Sequence, residues 1–320
     1  MALIDSTDIA VIGGGPAGIT ACLELDKSSN FSINLFESDS ELGGIPRSCN
    51  VFFGMRDQKR LYTGKQYARK LENKIRSTEV KIHTNATVLE ITPSFSGSRH
   101  QICVASLSGM KQYNCRFIVI ATGCYEATRQ ARLIPGQRPS GIFTTGSLQK
   151  LVNIHKAIPG SKAVILGSEI VSLSCLLTLK NAGIKTLGII EDAPELQTYK
   201  LAAYFMKVWN NFRIFTDTQI LSILGEKRVE GIRLRKNENV FEIECDTIVI
   251  TGKFRPESAL LNNTKIIMDQ HTRGPVVDKY LMTSAPGVYA AGNVIRGARM
   301  HDLCALEGKQ VARTILNKKH

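Results

Sequence analysis

The chain of 320 residues lacks the patterns that mark disulfide-exchanging, metal-binding and membrane-spanning proteins. Its eight cysteines include no Cys-x-x-Cys pair, and no cysteine or histidine stands at the spacing of a metal site. No apolar run approaches about 18 residues without a polar or glycine interruption, and no basic segment precedes an apolar one at the N-terminus. We therefore expect a cytoplasmic protein with reduced thiols, no membrane span, no signal peptide and no bound metal.

Long blocks of like charge are also missing, although the net charge is +13. The densest basic cluster lies at residues 56–76 and includes a predicted helix. Its basic members are Lys65, Arg69, Lys70, Lys74 and Arg76, and its inward-facing members are Tyr67, Ala68, Leu71 and Ile75. A solvated helix face is the simpler interpretation, and a docking surface for an acidic partner is the alternative. The sequence shows no nucleic-acid-binding motif, so we expect no nucleic-acid partner.

The sequence does contain a glycine-rich turn between two apolar segments near its start. An apolar run at residues 9–12 breaks at glycines and continues as a predicted helix over residues 16–25. A second apolar run, at residues 33–36, ends on Glu37. The order of strand, tight turn, helix, strand and acid is typical of a dinucleotide-binding unit.

Each glycine of this turn has a physical role in binding a pyrophosphate. Gly13 permits the tight turn, Gly15 lets the backbone approach the phosphates, and Gly18 lets the helix pack closely on the strand. The helix N-terminus then faces the phosphates, and Glu37 can accept a hydrogen bond from a ribose hydroxyl. The sequence therefore predicts that the chain binds a dinucleotide.

Both the turn and a second strand signal recur later in the chain. Residues 162–172 repeat the strand–turn–helix pattern of residues 8–18, and residues 247–252 repeat the strand-like residues 117–123. This repetition predicts an α/β protein with two Rossmann-like dinucleotide-binding domains, the second inserted into the first. The predicted limits are 1–140 plus 255–320 for the first domain and 141–254 for the second.

The turn of the second domain departs from the pattern. Aligned on the first turn, it has Leu166, Ser168 and Val171 at the three glycine positions, and only Gly167 remains. A leucine at the turn and a serine beside the phosphate path disfavour close phosphate approach. The candidate residues for a second nucleotide are Gly167, Ser168, Glu169 and Glu191. Weakened or lost NAD(P)H binding is the simpler interpretation, and intact NAD(P)H binding is the alternative.

The chain resembles the two-domain flavoproteins of the pyridine nucleotide-disulfide oxidoreductase family, the group that contains thioredoxin reductase and glutathione reductase. The matching segments are Gly13–Gly18 with Glu37, Gly43-Gly44, Ala121-Thr122-Gly123 and Thr283–Asn293. A finer resemblance, at residues 44–47, 53–56 and 144–149, is to the branch with the FAD subunits of hydrogen cyanide synthase, opine oxidase and dye-linked proline or hydroxyproline dehydrogenases. It implies FAD as the cofactor and a partner dehydrogenase subunit.

The resemblance also implies which residues hold FAD. The pyrophosphate is held by Gly13, Gly15, Pro16 and Ala17, and the adenosine ribose by Glu37. The path toward the ribityl chain and the flavin ring is lined by Gly44, Ile45, Pro46 and Arg47. The backbone of Val88 contacts adenine, and Ala121, Thr122 and Gly123 lie against the cofactor. Gly292 and Asn293 end the second FAD motif, in which Asn293 replaces the usual aspartate.

Three further residues are candidates for the reaction or for contact with the flavin. Cys49 stands alone after Gly44, whereas the disulfide enzymes of the family need a pair. A packed thiol is therefore the simpler interpretation, and a charge-transfer thiolate is the alternative. His301 and Asp302 begin a predicted helix at residues 300–312, whose N-terminal dipole would stabilise an anionic reduced flavin. For both residues, helix capping is the simpler interpretation, and contact with the flavin site is the alternative.

Three functions remain open from the sequence. The first is an electron-transferring FAD subunit of an amino-acid, imino-acid or related dehydrogenase. The second is a self-sufficient NAD(P)H-dependent flavin oxidoreductase. The third is a non-catalytic nucleotide-binding subunit, and a homo-oligomer is compatible with each.

Overall fold

The computed structural model describes residues 4–27, 31–198 and 211–317. The chain divides into two compact units. Unit 1 comprises Met1–Arg47, Phe52–Tyr125 and Phe254–His320, and unit 2 comprises Ser48–Val51 and Glu126–Lys253. The domain limits expected from the sequence, 1–140 plus 255–320 for the first domain and 141–254 for the second, stay a prediction.

The elements of the described residues are numbered in chain order. The strands are β1 (Ile4–Ile12), β2 (Ile33–Phe36), β3 (Phe52–Phe53), β4 (Tyr62–Thr63), β5 (Lys81–His83), β6 (Ala86–Thr92), β7 (His100–Ser106), β8 (Gly109–Ile120), β9 (Cys124–Glu126), β10 (Ile142–Thr144), β11 (Lys162–Leu166), β12 (Lys185–Ile190), β13 (Arg213–Phe215), β14 (Gln219–Leu224), β15 (Gly231–Lys236), β16 (Asn239–Glu244), β17 (Thr247–Ile250), β18 (Phe254–Pro256) and β19 (Val288–Ala290). The α-helices are α1 (Pro16–Asp26), α2 (Gly64–Ile75), α3 (Thr145–Gln149), α4 (Ile170–Asn181) and α5 (His301–Asn317). Short 3₁₀ turns lie at Ile45–Arg47, Ala259–Leu261 and Gly292–Val294, and a π-helical turn at Lys150–Ile154.

Unit 1 is built on a seven-stranded sheet in the order β5-β2-β1-β8-β7-β6, with β19 also paired to β8. The strands β5, β2, β1, β8 and β19 run parallel, whereas β6 and β7 continue from β8 as an antiparallel meander. Ile12 pairs with both Phe36 and Ile120, so β1, β2 and β8 end at the same edge. Ligands of open parallel sheets bind at this carboxyl edge, which is where the predicted site residues follow the strands.

The helices of unit 1 cover the sheet closely. All four residues of β2 are buried, as expected for a parallel strand with both faces covered. A Cβ on Gly308 of α5 would overlap with the carbonyl oxygen of Ala17 in α1, so this glycine allows the two helices to touch. Helix α2 begins with a capping box between Thr63 and Gln66. As predicted, it buries Tyr67, Ala68, Leu71 and Ile75. Its basic residues are exposed except Lys70, which is partly buried.

Unit 2 contains a second parallel sheet, in the order β10-β17-β11-β12-β13, and a three-stranded antiparallel sheet, β14-β15-β16. The strand β17 is buried along its whole length, and Val164, Ile165 and Leu166 of β11 are at most 1% exposed. Leu176 and Leu179 of α4 pack in one core cluster with Ile165. Two units, each with a parallel sheet and a strand–turn–helix at its carboxyl edge, confirm the predicted α/β fold class.

Candidate dinucleotide site

The turn after β1 in unit 1 has the geometry that its glycines predict. Gly13 has a φ of +107°, and its N–H donates to the carbonyl oxygen of Phe36 at 2.8 Å. A Cβ on Gly13 would overlap with the carbonyl oxygen of Ala121, and one on Gly18 would overlap with that of Gly13. Side chains at these two positions would push the strand ends and the helix apart. Both glycines are therefore needed for the compact strand–turn–helix.

Gly15 differs from Gly13 and Gly18 because its role is to leave open space, and its own backbone conformation is unstrained. Its φ of −81° and ψ of −176° suit any residue, and a Cβ there would have no atom within 4 Å. Pro16 occupies the first position of α1, and no side chain caps the first turn of the helix. The N–H groups of that turn thus have no side-chain partner, and the open surface beside Gly15 leads to them. This cradle fits the pyrophosphate of a dinucleotide.

Glu37 stands at the end of β2, beside this turn. Its Oε2 accepts from the N–H of Gly14 at 2.7 Å, and its Oε1 accepts from the N–H of Asp39 at 2.8 Å. The carboxylate is thus held at the strand end by backbone donors while the residue stays partly exposed. That position suits an acceptor for ribose hydroxyls.

The segment at residues 43–47 lies against the glycine turn. The N–H of Gly43 donates to the carbonyl oxygen of Gly14 at 2.8 Å, and a Cβ on Gly44 would stand 3.1 Å from the Cα of Gly15. Ile45 and Pro46 follow in a 3₁₀ turn. The Arg47 guanidinium points back to the acidic turn after β2, where it pairs with Asp39 and Glu41 and donates to the Glu41 carbonyl oxygen at 2.6 Å.

The predicted adenine residue lies near the start of β6, and the predicted strand-end residues follow β8. Val88 is in β6, whose first residue, Ala86, donates its N–H to the Glu37 carbonyl oxygen at 2.9 Å. Ala121 follows β8 and donates to the carbonyl oxygen of Ile12 at 2.8 Å. The Thr122 hydroxyl donates to the Glu257 carbonyl oxygen at 2.6 Å. Gly123 adopts a φ of +81°, and a Cβ there would have no atom within 4 Å.

The second FAD motif ends where α1 and α5 meet. Gly292 has a φ of +81°, and its N–H donates to Glu307 of α5 at 2.8 Å. Asn293 is buried, and its Oδ1 accepts from the N–H of Arg299 at 2.8 Å and from the thiol of Cys304. Its amide oxygen therefore closes the loop that leads into α5.

His301 and Asp302 begin α5, and the capping interpretation stays a prediction. Burial lowers the pKa of His301 to about 4, so its imidazole is neutral near pH 7. Its ring stands edge-on to Phe53, with 4.9 Å between the ring centroids. Asp302 is almost fully buried and forms an ion pair with Arg56 at 3.1 Å. Sequence reasoning missed this pair because it joins residues 246 positions apart, although Arg56 belongs to one of the segments that carry the finer resemblance.

Cys49 lies in unit 2, against α3 and the π-helical turn that follows it. Its thiol donates to the side-chain oxygen of Gln149 at 3.4 Å. Burial, and then the nearby Glu126 carboxylate, raise the pKa of Cys49 to about 12, so the sulfur is a thiol at neutral pH. The structure forms no disulfide among its described residues, and those residues contain no cluster of ligands for a metal ion.

The turn of unit 2 corrects the alignment made from the sequence, which is wrong by one residue. Strand β11 ends at Leu166 as β1 ends at Ile12, and the N–H of Gly167 donates to the Ile190 carbonyl oxygen at 2.8 Å, as Gly13 does in unit 1. Gly167 has a φ of +106°. It is therefore the counterpart of Gly13, and the first glycine of the fingerprint is retained.

The sequence alignment failed because an apolar run does not show where its strand ends. With the register corrected, Glu169 is the counterpart of Gly15, and both precede the first residue of their helix. Glu191 is the counterpart of Glu37, and its carboxylate accepts from the Ser168 hydroxyl and from the N–H of Ala193. The four predicted residues of the second site thus do lie together at one sheet edge.

The pyridine nucleotide-disulphide oxidoreductase family model matches residues 7–310. One of the subunits of opine oxidase from Agrobacterium tumefaciens (strain Ach5) is 24% identical over 316 residues, which are 91% of this chain and 62% of that protein. Hydrogen cyanide synthase subunit HcnB of Pseudomonas protegens is 26% identical over 246 residues, 75% of this chain and 49% of that protein. The chain thus spans roughly half to three fifths of these two relatives. A ferredoxin–NADP reductase of Picrophilus torridus is 23% identical over 98% of this chain and 93% of its own.

Solved structures share the fold. Thioredoxin reductase from T. acidophilum superposes with a TM-score of 0.82 at 19% identity, over 98% of this chain and 99% of that one. L-proline dehydrogenase from P. horikoshii superposes with a TM-score of 0.75 at 22% identity, over the whole of this chain and 57% of that one. Among the described residues, none of the helices is long and apolar enough to cross a bilayer.

Proposed function

The chain belongs to the pyridine nucleotide-disulphide oxidoreductase family and is an FAD-dependent oxidoreductase, and from that premise we propose that it is an electron-transferring subunit. In this proposal its FAD exchanges electrons with a partner subunit that oxidises an amino acid, an imino acid or a related substrate. The observation that carries it is the contrast between the two units: the turn of unit 1 is open at Gly15, and the equivalent position of unit 2 carries Glu169.

Two relatives support such a role. The opine oxidase relative and hydrogen cyanide synthase subunit HcnB are each named as one subunit of a larger enzyme. The likeness to L-proline dehydrogenase from P. horikoshii supports the fold expected for this role. The partner subunit, its substrate and the cytoplasmic location remain parts of the proposal.

The proposal includes the absence of a redox-active disulfide. The eight cysteines are spread over both units, and burial raises the pKa of Cys22, Cys49, Cys115, Cys175, Cys245 and Cys304. A thiol held protonated is a poor nucleophile and a poor partner in disulfide exchange. The flavin is then the only group proposed to store electrons.

Bound FAD would supply reversible electron exchange, and the residues of unit 1 would hold it. The N-terminus of α1 and the turn through Gly15 would hold the pyrophosphate, and Glu37 the adenosine ribose. Neutral His301, at the start of α5, adds no charge of its own to that helix terminus.

The alternative is a self-sufficient NAD(P)H-dependent flavin oxidoreductase. The ferredoxin–NADP reductase of Picrophilus torridus favours it, because its similarity extends over nearly the whole of both chains. In unit 2, the retained Gly167 and the acid Glu191 also favour it, since both occupy fingerprint positions. The two functions differ in whether NADH or NADPH reduces the flavin.

Two anaerobic measurements on the purified holoprotein test the proposal. NADH and NADPH at micromolar concentration should not bleach the flavin absorbance in stopped flow, and rapid bleaching would establish the alternative. A dithionite titration should consume about two electrons per FAD, because the flavin alone is reduced. A stoichiometry near four would show a redox-active disulfide and contradict that part of the proposal.

A further inference from the structure

The two glycine turns can be compared residue by residue, because equivalent hydrogen bonds fix their register. Gly13 and Gly167 both have a φ near +107° and both donate to the last residue of the neighbouring strand. The residues that precede α1 and α4 are Gly15 and Glu169, with ψ values of −176° and +166°. The backbone path is the same in the two units, so the difference at this position lies in the side chain.

The Glu169 carboxylate folds back over its own turn. The hydroxyl of Thr251 donates to its Oε2 at 3.0 Å. A Cβ on Gly167 would stand 2.6 Å from the same oxygen, and a Cβ on Gly252 would overlap with Oε1. The carboxylate therefore lies on the two glycines of the strand ends. In unit 1 the corresponding surface beside Gly15 is open.

Two further positions of unit 2, the counterparts of Gly18 and Glu37, also differ from those of unit 1. Ser172 stands where unit 1 has Gly18, a position at which a Cβ in unit 1 would overlap with the carbonyl oxygen of Gly13. The Glu191 carboxylate is turned inward to the hydroxyl of Ser168, which also accepts from the N–H of Gln197 at 2.9 Å. Glu191 is buried, whereas Glu37 stays partly exposed, so the acid at the ribose position of unit 2 is less accessible to a ribose.

We infer that Glu169 is the residue that excludes NAD(P)H from unit 2. Its carboxylate lies where the pyrophosphate of a dinucleotide would bind, and it carries a charge of the same sign. A diphosphate at this turn would have to displace the carboxylate, and it would then lie beside a like charge at the N-terminus of α4. The inference rests on the proposed function in one respect: it explains why electrons reach the flavin from a partner subunit.

The test is a direct binding measurement on FAD-loaded protein, with NADH as the probe. Calorimetric titration should give a dissociation constant near or above about 1 mM for the wild-type protein. Glu169→Gly should lower it at least tenfold, which is about 1.4 kcal/mol. Glu238→Gly, which removes an equal charge from the exposed hairpin between β15 and β16, is the matched control and should leave the constant unchanged.

The outcomes separate this inference from the proposed function. Micromolar binding of NADH to the wild-type protein, or equal binding by wild type and a folded Glu169→Gly variant, would overturn the role of Glu169. The reciprocal change, Gly15→Glu, should place the same carboxylate in unit 1 and give folded protein without flavin; retained flavin would overturn the inference too. None of these results depends on whether a partner subunit exists, which the flavin-reduction measurements test separately.

Discussion

The carboxylate of Glu37 accepts a hydrogen bond from the backbone N–H of Gly14, with 2.7 Å between Oε2 and the nitrogen. Together with the bond from Asp39 to Oε1, this fixes the acid at the end of β2 before any ribose is present. A pre-positioned acceptor loses little conformational entropy on binding, so its contribution to affinity is larger than that of a mobile side chain.

Glu37→Ala is expected to weaken FAD binding by about 10- to 100-fold, or about 1.4–2.7 kcal/mol. The variant loses both the ribose acceptor and the partner of the Gly14 N–H. Glu37→Gln should lose less, because its amide oxygen can still accept from Gly14. Flavin fluorescence during titration of apoprotein with FAD measures the three constants. Equal affinity of wild type and Glu37→Ala would contradict the assignment of this residue.

Gly15→Val is expected to give folded but colourless protein. The backbone at Gly15 suits valine, and its Cβ would have no protein atom within 4 Å, so the free energy of unfolding should change little. The side chain would instead stand where the pyrophosphate approaches. Flavin content per chain and circular dichroism check the two halves of this expectation. A folded variant with full flavin would show that the pyrophosphate lies elsewhere.

Cys49→Ser is expected to keep the rate of flavin reduction within about threefold of wild type. Its protonated thiol donates a hydrogen bond to Gln149, and a serine hydroxyl can donate in its place. Anaerobic reduction by an artificial donor, followed by absorbance, measures the rate. A loss of more than about a hundredfold, or about 2.7 kcal/mol of barrier, would make Cys49 a catalytic residue.

The first turn could be predicted from the sequence because its signals are local. Gly13 directly follows the first apolar run and Glu37 directly follows the second. The distance between them along the chain is set by the strand–turn–helix–strand unit. The register of the second turn could not be predicted, because the apolar run that includes Leu166 does not show at which residue the strand ends. Contacts such as that of Arg56 with Asp302 depend on how distant segments pack, and no local pattern carries them.

His301 is expected to make the protein less stable in mild acid. Its pKa is about 4 in the folded protein, against about 6.5 in an unfolded chain. Between those values the unfolded state binds a proton that the folded state does not, so stability is full above about pH 6.5 and falls as the pH drops toward 4. The loss is about 1–3 kcal/mol.

His301→Asn removes this titration, so the two proteins should differ in how their stability depends on pH. Urea unfolding of both proteins at several pH values from 7.5 to about 4 gives the comparison. The difference in the free energy of unfolding between the two proteins should change steadily below about pH 6.5, because only the wild-type protein loses stability through this histidine. A difference that stays constant with pH would show that His301 does not have a depressed pKa.

Arg129 is expected to hold the loop that follows β9 in unit 2. It is only 7% exposed, and its guanidinium donates to four consecutive carbonyl oxygens. These belong to Ile134 at 3.1 Å, Pro135 at 3.0 Å, Gly136 at 2.7 Å, and Gln137. No spacing in the sequence marks this role, because the acceptors are backbone atoms.

Arg129→Ala should lower the free energy of unfolding by about 1–3 kcal/mol, since it removes the charged donor that holds four carbonyl oxygens of the loop. Arg129→Lys should restore only part of the loss, because an ammonium group cannot present the planar fork that reaches several acceptors at once. Arg138→Ala, which removes the same charge from an exposed position in the same loop, is the matched control and should change stability by less than about 0.5 kcal/mol. Urea denaturation of the three variants measures the free energies of unfolding. Similar decreases for Arg129→Ala and Arg138→Ala would mean that the loss of net charge, and not of the four hydrogen bonds, lowers the stability.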